Sequence, residues 1–380
     1  MDRRYTLSVV IPCYNESATL EQCVLSVLNI RNEHLEVQIH IVDDASSDES
    51  YLIALKIAEK YTGITVHRHQ TNLGKGAALR TGFKYAQGDF IAIQDADLEY
   101  DPNDLKRLVR PLIENKADVV FGSRFLSSET HRVLYFWHSV GNSFLTFFSN
   151  MMTDLNLTDM ESCYKIFRKE IIQKINIEEN RFGFEPEIVA KVAHMRVRIY
   201  EMGISYFGRT YEEGKKIGWK DGIRALYCIL RYNLFFAPAP VQLLIYLLTG
   251  GIAAFFNLLM FLGLRAFTAP VHFSAPLAFI FSSLLNYLFC YWILFRYKSN
   301  WNALLKIVIF IGTITGMGYA DLWLTETLIK NQFQEAYAKI TATVICIVLN
   351  FISRRLFISQ SNRTNMWKPQ IITENTSVAD

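Results

Sequence analysis

Paired cysteines are missing from this chain. Its six cysteines (Cys13, Cys23, Cys163, Cys228, Cys290 and Cys346) are scattered and form no CxxC pair. That argues against a disulfide framework or a zinc site and fits a reducing compartment. Strong net charge is missing too: 380 residues carry only +3, so no global basic field points to nucleic acid. No G-x-x-x-x-G-K-[ST] loop occurs, and no G-x-G-x-x-G follows the first apolar strand. A P-loop NTPase and a nicotinamide enzyme are therefore disfavoured. The opening "MDRRYTLSVVIP" enters a short apolar strand directly, too short for the h-region of a signal peptide.

Apolar residues, by contrast, are plentiful but unevenly spread. The 51% hydrophobic content averages a soluble-looking stretch before about Pro240 with a Phe- and Leu-rich stretch after it. Four windows there have the length and apolarity to span a bilayer: Val241–Leu264, Phe273–Phe295, Ala303–Leu324 and Tyr337–Ile358. Arg224 and Arg231 precede the first, Arg296 and Lys298 separate the second and third, and Arg354 and Arg355 close the fourth. The other loops hold Arg265, and Lys330 diluted by Glu326 and Glu335. The positive-inside rule then places the N-terminal domain and the tail in the cytoplasm, on a multi-pass membrane protein. Two further stretches look amphipathic. In "GWKDGIRALYCILRYNLFF", Trp219, Ile223, Leu226, Leu230 and Leu234 recur at helical spacing, with Lys220, Arg224 and Arg231 on the other side. This is the pattern of a helix lying in a membrane interface. "VLYFWHSVGNSFLTFFSNMM" is aromatic but interrupted by His138, Asn142 and Asn150, too polar to span cheaply.

The first half alternates strand and helix patterns. "LSVVIP", "VQIHIVDD", "ITVHRH", "FIAIQDAD" and "DVVFGSR" read as strands. Helical patterns cover Ala18–Asn29, Glu49–Tyr61, Gly76–Ala86 and Pro102–Glu114. The spacing predicts an α/β fold with a mainly parallel sheet covered on both faces. Ligands of such sheets bind beyond the carboxyl ends of the strands. There the polar clusters fall: "PCYNE", "DDASSDES", "NLGKG" and "QDADLE" follow four successive strands. Most pointed is "IAIQDADLEYDP", which sets Asp95, Asp97, Glu99 and Asp101 within seven residues. Such crowding calls for a positive partner. Asp101, before Pro102, suits the cap of the next helix. Lys75 in "NLGKG" reads either as a solvated lysine at a helix start or as part of the site.

Together these motifs resemble family 2 glycosyltransferases of GT-A, Rossmann-like fold, of the polyprenyl-phosphate glycosyltransferase or dolichyl-phosphate mannose synthase type. The resemblance is carried by "VVIPCYNE", "VDDASSD", "NLGKGAALRTGF", "QDADLEYDP", "GSR", "TDMESCYKIFR", "FEPEI" and "GRTYEEGKK", in that family's order over about the first 220 residues. The apolar half resembles the four-span GtrA-like domain that some members carry after interface helices. The expected division is a catalytic domain over 1–215, an amphipathic interface region over 216–238, a four-helix transmembrane domain over 239–358 and a disordered tail over 359–380.

The resemblance implies a chemistry: inverting transfer of one hexose, mannose or glucose, from a nucleotide diphosphate to a polyprenyl phosphate at the cytoplasmic face. Asp95-Ala96-Asp97 matches the family's DxD motif, with Asp97, Glu99 and Asp95 as ligands or near neighbours of Mg²⁺ or Mn²⁺. Pro12, Tyr14, Glu16 and Asp43 would line the nucleoside pocket, with Lys75 among the donor contacts. Arg209 and Lys215 match a basic pair that would neutralise the leaving diphosphate. Arg124, Arg132 and Lys165 are the candidate contacts of the acceptor phosphate. Asp159 matches a position read as a base; alternatively it orients a cation such as Lys165. The implied partners are GDP-mannose or UDP-glucose, a polyprenyl phosphate and the membrane, with homo-oligomerisation open and nucleic acid excluded. Two rivals are a carrier or flippase of lipid-linked sugar that binds nucleotide sugar, and a processive polysaccharide synthase. The latter normally carries Q-x-x-R-W, which this chain lacks.

Overall fold

A computed structural model describes residues 4–126, 133, 135–208, 218–270 and 303–334, with scattered positions between 277 and 353. The chain divides into two compact units, the first ending at Asn233 and the second beginning at Leu234.

The first unit is built on a seven-stranded sheet of order β3-β2-β1-β4-β6-β5-β7. The five strand patterns of the sequence appear as β1 (Tyr5–Cys13), β2 (Leu35–Asp43), β3 (Ile64–Arg68), β4 (Phe90–Ile93) and β5 (Val119–Ser123). Two strands went unread, β6 (Lys165–Arg168) and β7 (Ile199–Gly203). Each is short, and "KIFR" offers no alternation longer than four residues. Strand β6 runs antiparallel to both β4 and β5, while the other pairs are parallel. Between them pass α1 (Leu20–Leu28), α2 (Ser50–Lys60), α3 (Lys75–Tyr85) and α4 (Asn103–Ile113), within a few residues of the helical patterns. Asp101 accepts a hydrogen bond from the Asn103 backbone N–H at 2.9 Å, but the N-cap position of α4 itself falls on Pro102, one residue later than expected.

Two features of this topology position the site. Strand order reverses at β1: β2 and β3 lie on one side of it and β4 on the other. That leaves a crevice at the carboxyl ends of β1 and β4. Secondly, because β6 is antiparallel, its first residue lies at the same edge where its neighbours end, with Lys165 opposite Phe121 of β5. The segment leading into β6 is therefore delivered to the same edge. Close packing holds helix to sheet, since a Cβ on Gly82 of α3 would come within 2.2 Å of Val10 Cγ1 on β1.

Three more helices complete this unit beside the short α6 (Lys169–Ile172): α5 (Phe136–Thr153), α7 (Phe184–Met195) and α8 (Trp219–Asn233). Helix α5 is inverted relative to a core helix. Asn142, Thr146 and Ser149 point inward, while Trp137 (79% exposed), Phe144 and Phe147 (67%) point out. Helix α8 lies beside α5 and α7. It buries Ala225, Cys228, Ile229 and Tyr232 and leaves Trp219, Ile223 and Leu230 exposed. The apolar stripe read from the sequence is thus the outward one. Two of its cations differ from expectation. Arg224 bonds Glu179 at 2.6 Å and Arg231 bonds Glu178 at 3.0 Å, so both are drawn back onto the first unit. The expected region 216–238 straddles the division between units, with α8 in the first.

In the second unit α9 spans Ala239–Ala266 and α10 spans Ala303–Lys330. They contain the first and third windows. Among the described residues one stretch, Ala239–Leu264, is long and apolar enough to cross a membrane. The second and fourth windows lie largely outside the described residues, as does the tail 359–380.

Candidate active site

At the crevice, β1 and β2 end in register, with Cys13 opposite Asp43. At the end of β1 and just past it, Pro12 and Glu16 are half-buried and Tyr14 is 42% exposed. Asp43 is fully buried. Its Oδ2 accepts from the Ser46 backbone N–H and pairs with Arg68 Nε at 3.2 Å. Its Oδ1 is sealed from solvent without a hydrogen-bond partner. Arg68, which also lies over the Tyr51 ring, was not foreseen.

The acidic run follows β4. Gln94 is fully buried and accepts from the Tyr164 hydroxyl at 2.6 Å, while its Nε2 donates to the Asp95 carbonyl at 3.0 Å. Ala96 is buried. Leu98 takes a left-handed conformation (φ 61°), which turns the chain sharply between Asp97 and Glu99. Asp97 Oδ1 accepts from the Glu99 N–H at 3.2 Å, and Glu99 Oε2 accepts from the Tyr206 hydroxyl at 2.8 Å.

The cation demanded by this crowding is Lys75. Its Nζ stands 3.0 Å from Asp95 Oδ1 and 3.1 Å from Glu185 Oε1. Burial works against the ammonium charge, but Asp95 and the other anions around it hold its pKa well above the usual lysine value. Lys75 is therefore not a solvated lysine. The two glycines beside it explain the placement. Gly74 sits at φ 100°, and a Cβ on it would come within 2.5 Å of the Asn180 carbonyl. A Cβ on Gly76 would meet the Glu179 carbonyl at 2.3 Å. Only glycine lets the start of α3 press onto residues 179–181 this closely. Asp44 supports the same loop, accepting from the Leu73 and Gly74 N–H groups at 2.9 and 2.6 Å and pairing with His69 at 2.7 Å.

A second ion pair closes the other side. Arg124, just past β5, binds Asp159 with two nitrogens, Nε at 2.7 Å and Nη2 at 2.8 Å, and both residues are buried. Its Nη2 also donates to Asn142 of α5 at 3.0 Å. Its guanidinium lies 5.2 Å from the Tyr206 ring centroid. Tyr206 thus touches both Glu99 and Arg124 and links the acidic turn to the Arg124–Asp159 pair. The expected partner of Asp159 was Lys165, and the structure corrects this. Lys165 is buried and donates to the carbonyls of Met160 and Ser162. Burial lowers its pKa, so it is a poor anchor for a mobile phosphate. Arg132, Arg209 and Lys215 lie outside the described residues.

Asp95, Asp97 and Glu99 offer an all-oxygen donor set, the kind a hard divalent cation takes. Among the described residues, however, no three His, Cys, Asp or Glu side chains gather into a ready-made metal cluster, and Asp95 is shared with Lys75. The set suits an ion held by one or two carboxylates, with substrate oxygens completing its shell. Asp44, Arg68, His69, Asn142, Glu161, Glu185 and Tyr206 escaped sequence reasoning. Glu161 and Glu185 lie inside conspicuous motifs, "TDMESCYK" and "FEPEI", but only the fold shows what they face.

Comparison with known proteins agrees with this architecture. Residues 8–175 match Glycosyl transferase family 2, and residues 245–359 match the GtrA/DPMS transmembrane domain. The undecaprenyl-phosphate mannosyltransferase of Micrococcus luteus is 29% identical over 237 residues, 59% of this chain and 93% of the relative. The dolichol-phosphate mannosyltransferase of Pyrococcus furiosus is 26% identical over 231 residues, 60% of this chain and 64% of the relative. Glucosyl-3-phosphoglycerate synthase of Mycobacterium tuberculosis, solved with Mn²⁺, UDP and glucosyl-3-phosphoglycerate, is 18% identical with a TM-score of 0.47, over 60% of this chain and 80% of that one.

The Arg124–Asp159 pair generates a stability test. Removing one partner strands a buried charge, which costs about 3–5 kcal/mol. Asp159→Ala is therefore expected to lower the melting temperature strongly, whereas Asp159→Ala combined with Arg124→Met recovers part of the loss. A double variant no more stable than the additive sum would show that the two charges are uncoupled.

Proposed function

The chain joins a family 2 glycosyltransferase domain to a GtrA/DPMS transmembrane domain, and on that premise we propose that it transfers one hexose, mannose or glucose, from a nucleotide diphosphate to a polyprenyl phosphate. One observation carries the reading. The acidic turn at β4 and the outward apolar faces of α5 and α8 belong to the same compact unit, and Arg124 ties the site directly to α5 through Asn142. A water-soluble donor and a lipid-held acceptor need that juxtaposition. Trp137, Phe144 and Phe147 on α5, and Trp219 and Ile223 on α8, would rest against the bilayer surface and bring the acceptor head group to the sheet edge.

In this reading Tyr14 stacks on the base, and the unpartnered Oδ1 of Asp43 accepts from the base or ribose. Asp97 and Glu99 hold a divalent cation, Mg²⁺ or Mn²⁺, beside Asp95. When bound, the cation neutralises charge on the leaving diphosphate, as Arg209 and Lys215 would from their segment. Arg124 and Arg132 are assigned to the acceptor phosphate. Asp159 acts by positioning Arg124. A phosphate monoester has a second pKa of about 6 and is largely dianionic at neutral pH, so it needs no base. What the reaction needs is cations between two anionic substrates. No observation favours a carrier or a processive synthase.

Four outcomes test this. Radiolabelled hexose from GDP-mannose or UDP-glucose should enter a polyprenyl phosphate fraction in detergent. Asp97→Asn and EDTA should each abolish that transfer, and full turnover in EDTA would refute the metal assignment. Asp159→Asn should lower kcat yet keep the acidic limb of the pH–rate profile near the phosphate's own pKa; disappearance of that limb would restore the aspartate as base. With the catalytic unit cytoplasmic on a multi-pass protein, protease should destroy it in sealed inside-out vesicles and spare it in right-side-out ones. The reverse pattern would exclude a cytosolic donor.

A further inference from the structure

Two carboxyl groups at the sheet edge are left incomplete. Glu185 opens α7 and is 4% exposed. Its Oε1 meets Lys75 at 3.1 Å, but its Oε2 is sealed from solvent with no hydrogen-bond partner. Glu161, in the segment that leads into β6, likewise keeps Oε1 sealed and unpartnered. An acceptor buried without a donor costs about 1–3 kcal/mol, more when charged. Unsatisfied buried groups in native proteins are few, and each asks for an explanation. Here the first is bound to Lys75, which also holds Asp95, and the second lies within electrostatic reach of the first.

The chemistry of the missing partner can be narrowed. A phosphate is excluded, because it would bring further acceptors and negative charge. A second cation is disfavoured by the Lys75 ammonium already 3.1 Å from Glu185. What fits is a neutral group rich in hydroxyl donors, held beside the Glu185 that Lys75 joins to Asp95. We propose that Glu185 and Glu161 form the subsite that binds the ring hydroxyls of the donor hexose, with Lys75 fixing Glu185 relative to Asp95. The proposal rests on the glycosyltransferase reading and deepens it by naming residues that choose the sugar.

Burial first, and then the charge of Glu185, push the Glu161 pKa up to about 8. At neutral pH Glu161 therefore holds a proton that it can donate to a sugar oxygen, while Glu185 accepts from a hydroxyl. A donor beside an acceptor matches hydroxyl groups, which are both, and discriminates epimers that move one of them. Rigidity comes from the segment beneath. Glu187 accepts from the N–H groups of Glu178 and Glu179 at 2.7 and 2.8 Å, and Asn180 accepts from the Ala77 N–H at 3.1 Å. Lys75 and Glu185 are thereby both registered against residues 178–180.

The test is calorimetric binding to the full-length protein in detergent with Mn²⁺. The probes are UDP and GDP, and UDP-glucose, UDP-galactose, GDP-mannose and GDP-glucose. Glu185→Ala is expected to weaken the best-bound nucleotide hexose roughly tenfold or more, unequally between epimers, while the matching free nucleoside diphosphate binds nearly as before. Equal losses for the diphosphate and its hexose would mean that Glu185 acts only through Lys75 and would overturn the subsite. Unchanged binding of both would overturn it too. If Glu185→Ala does not fold, Glu161→Gln carries the same comparison with the same expected pattern. A wild-type protein that binds free nucleoside diphosphate but none of the four nucleotide hexoses would refute the donor assignment above and this subsite with it, a pattern distinct from failure of the subsite alone.

Discussion

Negative charge packed at one edge of a sheet is the constraint on which this catalytic unit depends. Asp43, Asp95, Asp159, Glu161 and Glu185 are all withdrawn wholly or partly from water near the carboxyl ends of β1, β2, β4 and β5. Left alone, like charges so placed would repel one another. The fold answers with a few cations in fixed places, of which Arg124 is buried, Lys75 is half-buried and Arg68 is exposed. Lys75 stands between Asp95 and Glu185, Arg124 is clamped on Asp159, and Arg68 pairs with Asp43. Each cation comes from a different element, so the site exists only when α3, β3 and the segment after β5 are all seated. Buried ion pairs of this kind add little net stability, but losing one member is expensive. Their value here lies in fixing position.

The means of seating them are local and steric. Two glycines allow α3 to start against residues 179–181, and Asp44 grips the preceding loop by its N–H groups. The antiparallel β6 returns the chain to an edge that a wholly parallel sheet would have left it facing away from, which brings Asp159 to Arg124. Tyr206 joins the two halves by bonding Glu99 and lying over Arg124.

Outward from this centre, polarity runs opposite to that of an ordinary soluble domain. Helix α5 turns Asn142 and Thr146 toward the site and Trp137 and Phe147 away from it. The polar face is the one the site requires, because Asn142 completes the hydrogen bonding of Arg124. The apolar face has no such role within the unit, and it accords with the transmembrane domain that follows. The polar face that serves the site and the exposed apolar face are opposite faces of one helix.

Much of this was readable in advance from periodicity. Five strands, the four helices between them, the acidic cluster and the apolar second half follow from patterns of two, of about 3.6 and of about twenty residues, which depend on neighbours along the chain. The outward stripe of α8 was readable for the same reason. Partnerships were not. Nothing in "NLGKG" says that Lys75 will meet Asp95 and Glu185, and "TDMESCYK" suggested Lys165 as the partner of Asp159 because the two are close in sequence. The tertiary structure chose Arg124 instead, since β5 ends where the segment before β6 crosses the sheet edge, while Lys165 turned inward onto carbonyls of its own loop. Ion pairs are decided by distance in space, and in this protein strand order and direction set those distances.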